Sequence, residues 1–129
     1  MKIELKKKDE LGAEATTARA TQMGACNQSL LDEIVRRVLT VSDPERIILF
    51  GSAATGGMTS DSDIDLLVVE KAPSNPRRRS VEIRRALRGV ESPFDVIVIS
   101  TERFRETQDL VGTIAYPAAH LGRVIYEAR

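Results

Sequence analysis

Ile47-Ile48-Leu49-Phe50 is an uninterrupted apolar run ended by Gly51, and no other segment constrains the fold as tightly. Successive side chains of a strand point to opposite faces, so a run that is apolar at every position has to be covered on both. The run therefore predicts a buried central strand. A chain of 129 residues, 42% of them hydrophobic, can cover such a strand within one domain. Its one cysteine, Cys26, supplies neither an intramolecular disulfide nor a cysteine-rich zinc site, so apolar packing has to hold the fold.

The segments around this run alternate between helical and extended patterns. Leu30, Leu31, Ile34, Val35, Val38 and Leu39 recur at helical spacing behind Asn27 and Ser29, either of which can cap a helix, and Asp43-Pro44 ends it. Asp63 to Val69 reads as a second strand, Ala72 to Pro76 as a turn, Arg77 to Leu87 as a helix and Phe94 to Ile99 as a third strand. Thr101 is placed to cap a short helical piece, with Glu102 in its first turn. Gly112 to His120 reads as helical or irregular, interrupted by Pro117, and Arg123 to Glu127 as a closing strand. The alternation predicts an α/β (α+β) fold, a central mixed or parallel β-sheet with helices packed on it. Residues 1–25, with Lys6-Lys7-Lys8 and little apolar periodicity, read as an extension, mobile or forming a short edge strand at Ile3 and Leu5, ahead of a domain over 26–129.

Charge and composition exclude several roles. Nineteen Lys and Arg against nineteen Asp and Glu leave no net charge, and aromatic residues are only 4% with no Trp. Such a chain lacks the cationic field and the stacking platforms of a general nucleic-acid binder, so nucleic acid is an unlikely partner. The longest apolar runs, Ile47 to Phe50 and Leu66 to Val69, are far too short to span a bilayer, and the N-terminus has no apolar leader. A cytoplasmic protein without a membrane partner is expected.

Three features between residues 50 and 95 carry chemistry: Gly51-Ser52 after the apolar run, Asp63-Ile64-Asp65 opening the next strand, and Asp95 within the third. Each has an ordinary explanation alone. On a strand Asp63 and Asp65 share a side while Ile64 faces the other. Asp95 is a charge between Phe94 and Val96, tolerated where it is paired, metal-bound or at a functional edge. Neighbouring carboxylates repel, and a divalent cation such as Mg²⁺ removes the repulsion while taking further oxygen ligands from water and phosphate. Three carboxylates can hold two ions, the arrangement that serves in-line displacement at phosphorus. Gly51 lets the backbone approach a ligand closely, and a helix opening at Ser52 would turn free N–H groups toward a phosphate.

Phe50-Gly51-Ser52, the spacing to Ser62-Asp63-Ile64-Asp65-Leu66, and the later Asp95 together resemble the nucleotidyltransferase signature of the DNA polymerase beta superfamily. The small size and the ending Gly122-Arg123-Val124-Ile125-Tyr126-Glu127 resemble the minimal nucleotidyltransferases, the likeness covering roughly residues 30 to 127. The resemblance implies the nucleotidyltransferase fold and transfer of a nucleoside monophosphate, AMP from ATP or another NTP, to an acceptor hydroxyl with release of pyrophosphate. It implies Asp63, Asp65 and Asp95 as ligands of two Mg²⁺ ions, Asp95 also as the base for the acceptor hydroxyl, and Gly51 and Ser52 as holders of the β- and γ-phosphates. It further implies a small helical partner of the HEPN type, in a toxin–antitoxin pair whose nucleotidyltransferase modifies a partner tyrosine. Two alternatives stand beside it: a binding module that neutralises such a partner with little or no catalysis, and an adenylyltransferase acting on a small molecule of the aminoglycoside type. The acceptor and any homo-oligomer stay open.

One departure is informative. The family often carries arginines after Gly-Ser, where this chain has Ala53, Ala54 and Thr55, and the nearest dense positive charge is Arg77, Arg78, Arg79, Arg84, Arg85 and Arg88. On a helix Ile83, Ala86, Leu87 and Val90 share one arc and most of these arginines the opposite one, which reads as a solvated outer face, with a partner, RNA or acceptor contact as the alternative. His120, Tyr116 and Tyr126 read as structural, and Cys26 has no acid–base partner in sequence.

Overall fold

The computed structural model describes residues 28–55 and 63–128. Helix α1 (Gln28–Val38) leads into β1 (Arg46–Phe50), the short helix α2 (Ser52–Thr55) and β2 (Ile64–Glu70). Helix α3 (Pro76–Ala86), β3 (Phe94–Ser100), α4 (Thr101–Thr107), α5 (Ala115–Leu121) and β4 (Arg123–Glu127) follow. One four-stranded sheet results, in the order β3-β2-β1-β4. β1 runs antiparallel to both β2 and β4, while β2 and β3 are parallel and joined by α3, so the sheet is mixed as expected.

Alternation along the strands sorts the core into two layers. Ile47, Leu49, Ile64, Leu66, Val68, Val96 and Val98 face Leu31, Ile34 and Val38 of α1 and Ile83 of α3. Ile48, Phe50, Leu67, Val69 and Ile99 face Phe104 of α4 and Ala115 and Ala118 of α5. The run Ile47 to Phe50 is thus buried from both sides, which is why it tolerates no polar residue. Among the described residues no helix is long and apolar enough to cross a membrane.

Local chemistry sets the element ends, and it corrects several expectations. Asn75 caps α3 by accepting from Arg78 N–H at 3.1 Å, and Pro76 takes the first helical position, where no N–H is needed. Ser100, not Thr101, caps α4, accepting from Arg103 N–H at 3.0 Å, because β3 runs one residue further than its apolar pattern. Ser29 lies inside α1 rather than at its cap. That helix ends at Val38, ahead of Asp43-Pro44, as Val41 and Ser42 N–H both turn back to the Val38 carbonyl. Pro117 does not interrupt α5, since it occupies the first turn, where a missing N–H costs nothing. The expectations for residues 1–27, Cys26 and Asn27 included, lie outside the described residues.

A buried acid ties the end of β2 to α3. Glu70 is 6% exposed, accepts from the buried Ser42 hydroxyl, and pairs with Arg79 at 3.1 Å. Arg79 also donates to the Val41 carbonyl at 2.8 Å and to Glu82 at 3.0 Å. Removing the carboxylate would strand these donors in a half-dry setting, so Glu70→Ala is expected to cost about 2 kcal/mol in urea unfolding. By contrast Glu127→Ala, which removes an exposed 3.2 Å pair with Arg46, should cost under about 1 kcal/mol.

Candidate active site

The parallel pairing of β2 and β3 sets Asp65 opposite Asp95. Register partners in neighbouring strands face the same way ~5 Å apart, so the two carboxylates rise side by side. Their parity is that of Leu67, Val69 and Ile99, which places them on the α4–α5 face of the sheet, at the end where β2 and β3 begin. Ile64 N–H donates to the Pro93 carbonyl at 2.9 Å and locks the register at that end. Ile64 is fully buried on the opposite face, so a slip of one residue would exchange an isoleucine for an aspartate in the core.

Asp63 stands one residue ahead of the strand and is exposed, so it sits at the lip of the site rather than within β2 as its alternation predicted. It is still close enough to act on Asp65. Burial, then the charge of Asp95, then that of Asp63 push the Asp65 carboxyl above its ordinary value of 3.8. The three aspartates singled out in the sequence therefore form one electrostatic group. Among the described residues no three His, Cys, Asp or Glu side chains converge on a single metal position. The donor set is nonetheless all oxygen, the chemistry that suits Mg²⁺, an ion that completes its shell with water and phosphate oxygens.

Gly51 closes the site from the β1 side. Phe50 is the register partner of Asp65, and the next residue turns with φ +72°, a conformation that favours glycine. A Cβ at Gly51 would stand 2.2 Å from Asp65 Oδ2. Sequence reasoning set Gly51 beside a phosphate; its tightest constraint in the fold is the Asp65 carboxylate, a contact that only the strand register reveals. The helical turn begins at Ser52 as expected, with Ala54 N–H donating to the Gly51 carbonyl at 3.1 Å.

The other singled-out residues lie elsewhere. His120 Nε2 is 2.9 Å from Asp109 and its ring stacks on Tyr116 at 4.3 Å, a surface tie along α5. Tyr126 packs against the α1–α3 core layer. A cavity of about 540 Å³ lined by Pro73, Val98, Ser100, Glu102 and Arg103 opens at the far end of β3 from Asp95 and contains none of the three aspartates.

Comparison with known proteins bears on the family and the fold. Residues 30–116 match the family described as nucleotidyltransferase domain, two thirds of the chain. No curated protein matches. Among solved structures, a toxin–antitoxin with AMP-PNP aligns at TM-score 0.58 and 17% identity, over 77% of this chain and 74% of the other. A toxin–antitoxin mutant, MntA–HpeT, aligns at 0.56 and 14%, over 77% and 74%. A proposed nucleotidyltransferase from Sulfolobus solfataricus aligns at 0.54 and 24%, over 83% and 82%. At these identities the likeness is one of fold.

Two outcomes follow for the metal-free protein. Because folding raises the Asp65 pKa, the folded state holds that proton more tightly, and the penalty of the charged form is full at neutral pH and gone below 3.8. Asp65→Asn should therefore raise the melting temperature at pH 7, the gain shrinking to nothing as the pH falls through the Asp65 pKa to below 3.8. Gly51→Ala should cost at least about 1 kcal/mol in urea unfolding from its backbone conformation alone, with Asp65 displaced in addition.

Proposed function

The chain belongs to the nucleotidyltransferase domain family, and we propose that it moves AMP from ATP to a hydroxyl of a partner protein, releasing pyrophosphate. The observation that carries this reading is Asp65 in register with Asp95, under the influence of Asp63 and against the Gly51 turn.

In this reading Asp63, Asp65 and Asp95 hold Mg²⁺, two ions when ATP is bound, and Gly51 and Ser52 receive the β- and γ-phosphates. Mg²⁺ held there would offset the repulsion among the carboxylates and stabilise the negative charge of the phosphoryl oxygens. The chain's own task is placement, because phosphoryl transfer asks little covalent chemistry of the protein. Asp95, the exposed member of the register pair, takes the proton of the attacking hydroxyl. The acceptor oxygen forms its bond to the α-phosphorus as the bond to the pyrophosphate oxygen breaks, and pyrophosphate carries away the electron pair. Gly51 leaves room for Asp65 while the turn it makes brings the start of α2 beside it.

A protein acceptor is supported by the likeness in fold to structures of toxin–antitoxin assemblies, and we place the chain as the antitoxin-like partner of a small helical HEPN-type protein in the cytoplasm. A second reading, a binding module with slow or no catalysis, draws on Ala53 and Thr55, where relatives often carry arginines. Transfer of labelled AMP from ATP to a HEPN-type protein separates the two. Asp63→Asn and Asp65→Asn should each lower transfer by at least about 100-fold without loss of folding. Undiminished transfer in either variant would reject the assignment, whereas a nucleotide-independent complex without any transfer would favour the binding module.

A further inference from the structure

We propose that the outer face of α3 is the docking surface for an acidic face of the protein that receives the nucleotidyl group, an inference that rests on the acceptor being a protein. Arg77, Arg84 and Arg88 are spaced by seven and four residues, so they stack in one stripe that runs ~16 Å along the helix and its closing turn. Arg78 and Arg85 flank the stripe, and all five are exposed. Among the described residues only Arg78 has an acidic partner, Glu82 at 3.7 Å. Glu70 holds the inward Arg79, and Glu82 is shared between Arg79 and Arg78.

Helix stability explains only part of this arrangement: Arg84 and Arg85 lie in the last turn, where the helix dipole favours cations. The first turn of α3 holds Arg77 and Arg78 and no acid, the placement that the helix dipole disfavours. Residues 76–90 contain no lysine at all. Arginine binds carboxylates through a planar fork and is less strongly hydrated than an ammonium group, which suits a surface that becomes covered.

Two features favour a protein over a nucleic acid as occupant. The same residues 76–90 contain no aromatic side chain on which a base could stack, and the net charge of zero provides no wider cationic field. A row of carboxylates on a partner helix is the matching surface. Position relates the stripe to the reaction by height alone: the Arg84–Arg88 end of α3 leads through residues 87–93 into Phe94-Asp95, so the stripe ends at the same end of the sheet as the aspartates, while α3 covers the opposite face.

The test uses the full chain without nucleotide and a labelled alanine-rich helical peptide of roughly twelve residues, long enough to cover the stripe, with glutamates at every third or fourth position. The peptide should bind, and binding should weaken at least about tenfold between low and high salt. Arg84→Gln, Arg85→Gln and Arg88→Gln combined should abolish it while ATP binding stays as in the wild type; the combined Glu replacements should abolish it too, with a lowered melting temperature because acids in the last turn oppose the helix dipole. The Asp63→Asn, Asp65→Asn double variant should still bind the peptide, so loss of transfer and loss of docking are read separately. Equal binding by the arginine variants would overturn the proposal. So would an oligouridylate of the same length that binds more tightly than the peptide through the same arginines, which would mark a nucleic-acid surface instead.

Discussion

Two carboxylates held at the same height on adjacent strands repel, and the rest of the domain is arranged so that they stay there. The force opposing them is burial. Ile64, Leu66, Leu67 and Val68 of β2 are all fully buried, so the strand cannot shift to separate the charges without exposing its core. The parallel pairing to β3 then fixes Asp95 beside Asp65, and at the Gly51 turn the backbone comes close enough that even a methyl group would collide with the acid. A site that raises the Asp65 pKa is one the fold maintains at some cost to stability, which is how charge is concentrated for use.

The two ends of the sheet divide the electrostatic work. Where β2 ends, Glu70 is enclosed by Ser42 and Arg79, and opposite charges meet with their hydrogen bonds satisfied. Where β2 begins, like charges meet. Helix α3 spans both ends, its inward Arg79 fastening the first and its outward arginines passing toward the second. One helix thereby anchors the βαβ crossover and carries its outward arginines over the face of the sheet opposite the aspartates.

Much of this was legible in the residues. The closing strand Arg123–Glu127 matches its expected span, and the apolar run at Ile47 marked the strand that both core layers cover. Asp63, Asp65 and Asp95 were recognisable as a group because charge beside apolar strand residues demands a reason. What sequence could not supply was register: nothing in the spacing of 65 and 95 says that they are direct neighbours, since that depends on the length and packing of the α3 crossover. Glu70 escaped notice for a related reason. An acid at a strand end looks solvated until Arg79, nine residues on, and Ser42, twenty-eight residues back, close over it. The cap of α4 falls at Ser100 rather than Thr101; both are hydroxyl residues, and only the extra strand residue decides between them.

The central claim is that the aspartate cluster is a metal-dependent triphosphate site, and calorimetric titration of ATP with and without Mg²⁺ tests it most directly. The account predicts binding that requires Mg²⁺ and disappears in the Asp63→Asn, Asp65→Asn double variant while the variant remains folded. Binding of equal strength in that variant, or no binding by the wild type at millimolar ATP with Mg²⁺ present, would contradict it.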